Sequence, residues 1–164
     1  EMQVQKHVDI IIGTLGKSLA SMGAYVVSDS PILIDYLINR AGEFIYSTFL
    51  SPSQVGSAEA AVKVLQSSQT NRESLHKVST HFRNILGSTE IQGPSSPIIP
   101  VLIGDPVKTL ELKYSLLQKG VLVGAVRPPT VPIDTSRLRI SLHTGVTQEA
   151  LNEVVEILEP WIKP

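Results

Sequence analysis

Three times in this chain an oxygen-bearing residue stands directly before a proline: Ser30-Pro31, Ser51-Pro52 and Asp105-Pro106. Such an oxygen accepts from the first free N–H groups of a helix, and a proline in the first turn gives up an N–H that would be unpaired anyway. Each pair therefore predicts a helix start before any periodicity is counted. The first helix is expected to run to about Ala41. The second places Val55, Ala58, Val62 and Leu65 on one face; the third places Val107, Leu110, Tyr114 and Leu117 there and stops at Gly120. Thr70-Asn-Arg-Glu73 has the form of a capping box, and Leu75, Val78, Phe82, Ile85 and Leu86 follow at helical spacing up to Gly87. A last helix from Thr147 carries Leu151, Val154, Val155, Leu158, Trp161 and Ile162.

The strands lie between these helices. Residues 8–12 read as a buried strand closed by Gly13, and Ala24-Tyr-Val-Val27 as its partner. Residues 87–97 have the composition of a loop. Ile98–Ile103 forms a strand in which Pro100 demands an edge position or a bulge. Val121–Val126 forms another. Leu138, Ile140 and Leu142 alternate with Arg137, Arg139 and Ser141, so both arginines leave that strand opposite the leucines. From about residue 70 the order is helix, strand, helix, strand, strand, helix. That order predicts an α+β subdomain, 70–164, with helices on a small, mainly antiparallel sheet. Residues 1–69 are too strand-poor for a comparable domain and read as the closing end of a larger α/β domain. No internal repeat is evident.

Composition excludes several classes. Hydrophobic residues make up 42% and charged residues 18% of the chain, enough apolar matter for a core. A formal net charge of −1 gives no electrostatic case for nucleic acid or an anionic membrane. Without cysteine there are no disulfides and no thiolate metal sites, and a cytoplasmic location is expected. No apolar run approaches the roughly 20 residues of a membrane span. A first residue of Glu1 leads us to expect further chain upstream.

The stretch that carries chemistry is Gly13-Thr-Leu-Gly-Lys-Ser18, directly after the first apolar run. Glycines admit a close backbone approach, a hydroxyl can donate to an anion, and a lysine sits where the chain turns back. A nucleotide-binding G-x-x-x-x-G-K-[ST] loop would need glycine at position 11, where this chain has Ile11. Two readings remain from the motif alone. Lys17 is either a surface lysine after a strand or a nucleophilic amine that forms a Schiff base with a carbonyl cofactor.

Asp9-Ile-Ile-Ile-Gly-Thr-Leu-Gly-Lys17, Ile45-Tyr-Ser-Thr-Phe-Leu-Ser-Pro52, Arg127-Pro-Pro-Thr-Val-Pro132 and Arg137-Leu-Arg-Ile-Ser141 stand together in an order that resembles the α-oxoamine synthases. These are pyridoxal-phosphate enzymes of fold type I. The resemblance runs over nearly the whole chain but covers only the C-terminal part of such an enzyme. The segment from Arg127 to Pro132 is the narrower signal, and the resemblance it carries favours the branch that condenses L-alanine with a pimeloyl thioester. Relatives that use glycine or serine remain the alternative, as does a non-catalytic folding or dimerisation module.

The resemblance implies that Lys17 holds pyridoxal 5'-phosphate as a Schiff base and moves protons at the substrate α-carbon. It implies that Thr14 donates a hydroxyl to the cofactor phosphate. Ser47 and Thr48 match paired hydroxyl residues that reach the phosphate of the neighbouring subunit's cofactor, hence a homodimer with shared sites. Thr130 matches a substrate-contacting threonine, and Arg139 is the candidate for the substrate carboxylate, with Arg137 expected to pair with a surface acid. The acyl donor is an acyl-CoA or acyl-carrier-protein thioester. The family's histidine in this segment falls where the chain has Val146, so His143 receives no role. Ser21 and Met22 stand where glycine is common. The residues that stack on the cofactor ring and pair with its nitrogen are expected before Glu1, so the chain alone is expected to be inactive.

Overall fold

A computed structural model describes residues 4–87 and 96–162. The chain divides into two compact units, Glu1–Ser68 and Gln69–Pro164.

The first unit opens with a single 3-10 turn, Gln5–His7, and an antiparallel hairpin of β1 (Ile11–Thr14) and β2 (Ala24–Val27). The expected buried strand at residues 8–12 is thus displaced towards the glycine and is exposed, Ile12 at 73%. Pairing with β2 sets its extent, from Ile11 opposite Val27 to Thr14 opposite Ala24. Among the described residues no third strand joins this sheet to shelter either edge. Gly13 faces Tyr25, whose ring takes the place of the missing side chain: a Cβ on Gly13 would lie 2.2 Å from Tyr25 Cζ. Helix α1 (Pro31–Arg40) begins as expected, Ser30 Oγ accepting from Leu33 N–H. After the short α2 (Gly42–Ile45), α3 (Pro52–Ser67) starts from a reciprocal capping box between Ser51 and Gln54. Of its expected apolar face, Ala58 alone is buried.

The second unit starts with α4 (Gln69–Leu86). The expected capping box at Thr70 does not form, because the helix already includes that residue. Gln69 takes the partners instead, donating to Glu73 and accepting from Arg72 in the first turn. The far end agrees with the sequence: Phe82 and Leu86 are buried, Leu75, Val78 and Ile85 pack beside them, and Gly87 closes the helix at φ 61°. Most of the expected loop at 87–97 lies outside the described residues.

Strands β3 (Ile98–Gly104), β4 (Gly124–Val126) and β5 (Ser136–Ser141) form an antiparallel sheet in the order β3-β5-β4. Pro100 therefore sits on an edge strand, as required, while the register shift falls between Leu102 and Gly104. The strand expected at residues 121–126 is shorter, beginning at Gly124. One face of the sheet is covered by a core that includes Ile99, Val101, Leu138 and Ile140 with Leu112 and Leu116 of α5 (Pro106–Gln118) and Leu151, Val154 and Leu158 of α6 (Gln148–Ile162). Asp105 caps α5 by accepting from Val107 and Lys108 N–H, and Thr147 Oγ1 accepts from Ala150 N–H at the start of α6.

Helix α5 presents a different face from the one expected. Thr109, Leu112 and Leu116 are buried, whereas Val107, Tyr114 and Leu117 are exposed. Thr109 can enter the core because its hydroxyl donates to the Asp105 carbonyl at 2.6 Å and carries no unpaired proton inward.

Candidate active site

The Lys17 loop is closed at its base and pinned at its return. Leu15 N–H donates to Gly23 C=O at 2.9 Å, continuing the β1–β2 ladder, and Ser21 N–H donates back to Leu15 C=O at 3.0 Å. A turn from Lys17 to Ala20 sits inside this ring, with Ala20 N–H on the Lys17 carbonyl and Ala20 at φ 48°. Leu19 anchors the turn as one of the buried residues of this unit. Ser21 and Met22 do more than local packing. Ser21 Oγ donates to the Gln54 carbonyl at 2.7 Å, and Gln54 Nε2 contacts Met22 Sδ at 3.4 Å. The two positions that depart from the expected glycines thus tie the loop to the first turn of α3.

This frame leaves the reactive groups outward. Lys17 and Thr14 are exposed, and among the described residues neither side chain has a hydrogen-bond or ion-pair partner. Ser47 and Thr48, between α2 and α3, are likewise exposed with unpartnered hydroxyls. They line a pocket of about 510 Å³ together with Tyr25, Leu37, Phe44 and Phe49. Neither Thr14 nor Lys17 lines it; those two stand on the hairpin, Thr14 at the end of β1 and Lys17 in the loop that follows.

Thr130 and Arg139 belong to the second unit. Thr130 N–H donates to Arg127 C=O across the Pro128–Pro129 pair, whose peptide bond is cis. Arg139 lies on the central strand, where buried and accessible positions alternate, and its side chain leaves the face opposite Leu138 and Ile140. The two arginines of that strand differ. Arg137 Nε donates to the Thr135 carbonyl at 2.9 Å, so it stiffens its own turn, and among the described residues it does not pair with a surface acid as expected. Arg139 makes no hydrogen bond or ion pair among the described residues. A guanidinium held on a rigid strand with its donors free can take a carboxylate through two parallel hydrogen bonds. His143 turns inward on its own loop, Nδ1 accepting from Gly145 N–H at 3.1 Å.

Two supporting residues escaped the sequence reading. Tyr25 fills the Gly13 gap and Gln54 holds the loop's return. A glycine inside a β-rich run signals a bulky cross-strand neighbour, but only the register says which residue that is.

Among the described residues no three His, Cys, Asp or Glu side chains gather to hold a metal, and no helix is long and apolar enough to cross a membrane. The sequence matches the family of class I and II aminotransferases over residues 1–158. It is 36% identical to the 8-amino-7-oxononanoate synthase of Hahella chejuensis over 96% of this chain and 40% of that protein. It is 39% identical to the synthase of Photobacterium profundum over 94% of this chain and 39% of that one. Among solved structures, serine palmitoyltransferase of Sphingomonas wittichii superposes with a TM-score of 0.85 at 27% identity, over 96% of this chain and 40% of that chain. The 8-amino-7-oxononanoate synthase of Francisella tularensis gives a TM-score of 0.80 at 27% identity, over 92% and 44%. The chain therefore spans about 40% of the length of the curated relatives it matches. It belongs to the class I and II aminotransferase family.

Proposed function

We propose that this chain is the C-terminal part of a pyridoxal-phosphate enzyme that condenses L-alanine with a pimeloyl thioester, releasing 8-amino-7-oxononanoate, carbon dioxide and the free carrier, in biotin synthesis. The observation that carries this reading is the pinned hairpin loop that presents an exposed, unpartnered Lys17 three residues after Thr14, in a chain with 8-amino-7-oxononanoate synthases as relatives. On this reading Glu1–Ser68 is the end of the large cofactor domain and Gln69–Pro164 the small domain.

The donor set suits the cofactor: an amine for its aldehyde and hydroxyls for its phosphate. Pyridoxal phosphate, when bound, supplies the electron sink that stabilises negative charge at the substrate α-carbon. Lys17 is the residue that carries it and then moves the proton at that carbon. Thr14 donates to the phosphate. Ser47 and Thr48, whose hydroxyls are exposed and unpartnered, donate to the phosphate held by a second copy of the chain, so the working enzyme is a homodimer. Arg139 grips the carboxylate and orients the α-carbon, and Thr130 contacts the substrate from the Arg127–Thr130 turn.

The test is product analysis with the full-length enzyme, offering L-alanine, glycine and L-serine against pimeloyl-CoA and pimeloyl-carrier protein. Formation of 8-amino-7-oxononanoate from L-alanine is expected. A preference for serine with a long acyl chain would move the assignment to the serine palmitoyltransferase type, which the structural likeness at 27% identity favours as the second reading. Arg139→Lys keeps the charge and loses the planar grip. Its kcat/KM should fall about ten- to a hundred-fold, roughly 1.5–3 kcal/mol of transition-state binding, with cofactor content unchanged. Arg137→Lys should leave amino-acid affinity alone. Equal behaviour of the two, or loss of cofactor from the Arg139 variant, would overturn the assignment.

A further inference from the structure

Arg139 has two neighbours in register on its face of the sheet, Pro100 on β3 and Gly124 on β4. Directly opposed residues on adjacent strands place their side chains side by side, so these two decide how much room the arginine has. Gly124 offers all of it. A Cβ there would lie 3.5 Å from Arg139 Cβ and 3.7 Å from Arg139 Nε. Strand side chains stand roughly perpendicular to the sheet, and one rising straight would carry Nε well beyond a neighbouring Cβ. Two nearly equal distances mean that the arginine stem reclines across β4, over the bare backbone of Gly124.

We propose that Gly124 is a positioning residue for the substrate-binding arginine: the absent side chain is the slot in which the Arg139 stem lies, and it sets where the guanidinium meets the substrate carboxylate. The inference rests on the reading of Arg139 as the carboxylate-binding group. Alanine would only touch the stem, at ordinary van der Waals distance. A β-branched residue would take the volume that Nε occupies and push the guanidinium off β4. Valine is also a better strand former than glycine, so β4 itself has no reason to weaken. Stability and substrate binding should therefore move independently, which a merely structural glycine would not allow.

The experiment compares Gly124→Ala, Gly124→Val and Arg139→Gln in the full-length enzyme, with KM for L-alanine, kcat, cofactor absorbance and Tm. Gly124→Val should raise KM about ten-fold with Tm not lowered and cofactor absorbance unchanged, while Gly124→Ala should stay within about three-fold. Added to Arg139→Gln, the valine should cost nothing further. In the 164-residue chain, the Arg139 Nε–H resonance should become more mobile in the valine variant, a readout independent of catalysis. A wild-type KM in Gly124→Val, a KM rise that merely tracks a fall in Tm, or an unchanged Nε–H resonance would overturn the proposal. An unchanged KM in Arg139→Gln would instead overturn the carboxylate reading, and the resonance would still judge the slot.

Discussion

Helices α3 and α4 are close in length, 16 and 18 residues, yet α3 buries only Ala58 while α4 buries Ser79, Phe82 and Leu86. The better-capped helix is the one with less core. Ser51 and Gln54 give α3 a complete capping box, whereas α4 begins on Gln69 with side-chain pairs in its first turn. The contrast extends to the units that hold them. Gln69–Pro164 encloses a contiguous core in which Phe82, Ile99, Val101, Leu116, Leu138 and Leu158 are completely sheltered. Among the described residues of Glu1–Ser68 the buried apolar ones are Leu19 and Ala58, while Ile12, Ile32, Tyr46 and Phe49 are well exposed. Caps satisfy backbone groups within a turn and decide that a helix starts there. Burial requires a second layer: the sheet β3-β5-β4 supplies one to α5 and α6, and α6 in turn packs against α4.

The largest effect should come from cutting into the sheltered core. Leu138→Ala should cost about 2–5 kcal/mol, since it opens a cavity under the central strand. Val62→Ala on α3, at a site 40% exposed, should cost less than about 0.5 kcal/mol. Denaturant midpoints measure both, and similar losses would break the contrast between the units.

Next comes the hairpin, where the Tyr25 ring interlocks with Gly13. Gly13→Ala forces a Cβ to within 2.2 Å of Tyr25 Cζ and should cost about 1–3 kcal/mol by overpacking. The damage should be local: amides of Leu15 and Ser21 should exchange faster while those of β5 keep their protection. Tyr25→Ala combined with Gly13→Ala should restore most of the loss. A double variant as weak as the single one would show that the ring does not fill the glycine's space.

The smallest effects concern the surface of α3. Ser51→Ala should remove about 1 kcal/mol, read as fraying of the first α3 turn in amide exchange. The Lys63–Glu59 pair is 71% and 66% exposed, and Glu59→Gln should change stability by no more than roughly 0.5 kcal/mol. A larger loss from Glu59→Gln than from Ser51→Ala would reverse the ranking of cap over ion pair.

Everything legible from the order of residues was local. The caps at Ser30, Ser51 and Asp105, the closing glycine at position 87 and the alternation through Leu138, Arg139 and Ile140 each act within a few residues, and all are present. The Lys17 loop was legible for the same reason: glycines, a hydroxyl and an amine stand together in one turn. Packing against the sheet selects which of two stripes α5 buries. Both are apolar, and Thr109, the residue that looks wrong for a core, is admitted because its hydroxyl donates a hydrogen bond to the Asp105 backbone carbonyl. The fold also distinguishes two arginines two residues apart, tying Arg137 to Thr135 and leaving Arg139 free over Gly124. Register made Tyr25 the partner of Gly13 and Gly124 the neighbour of Arg139. Such pairings join residues distant in the chain, and no local propensity encodes them, because the energy that selects them exists only once the strands have met.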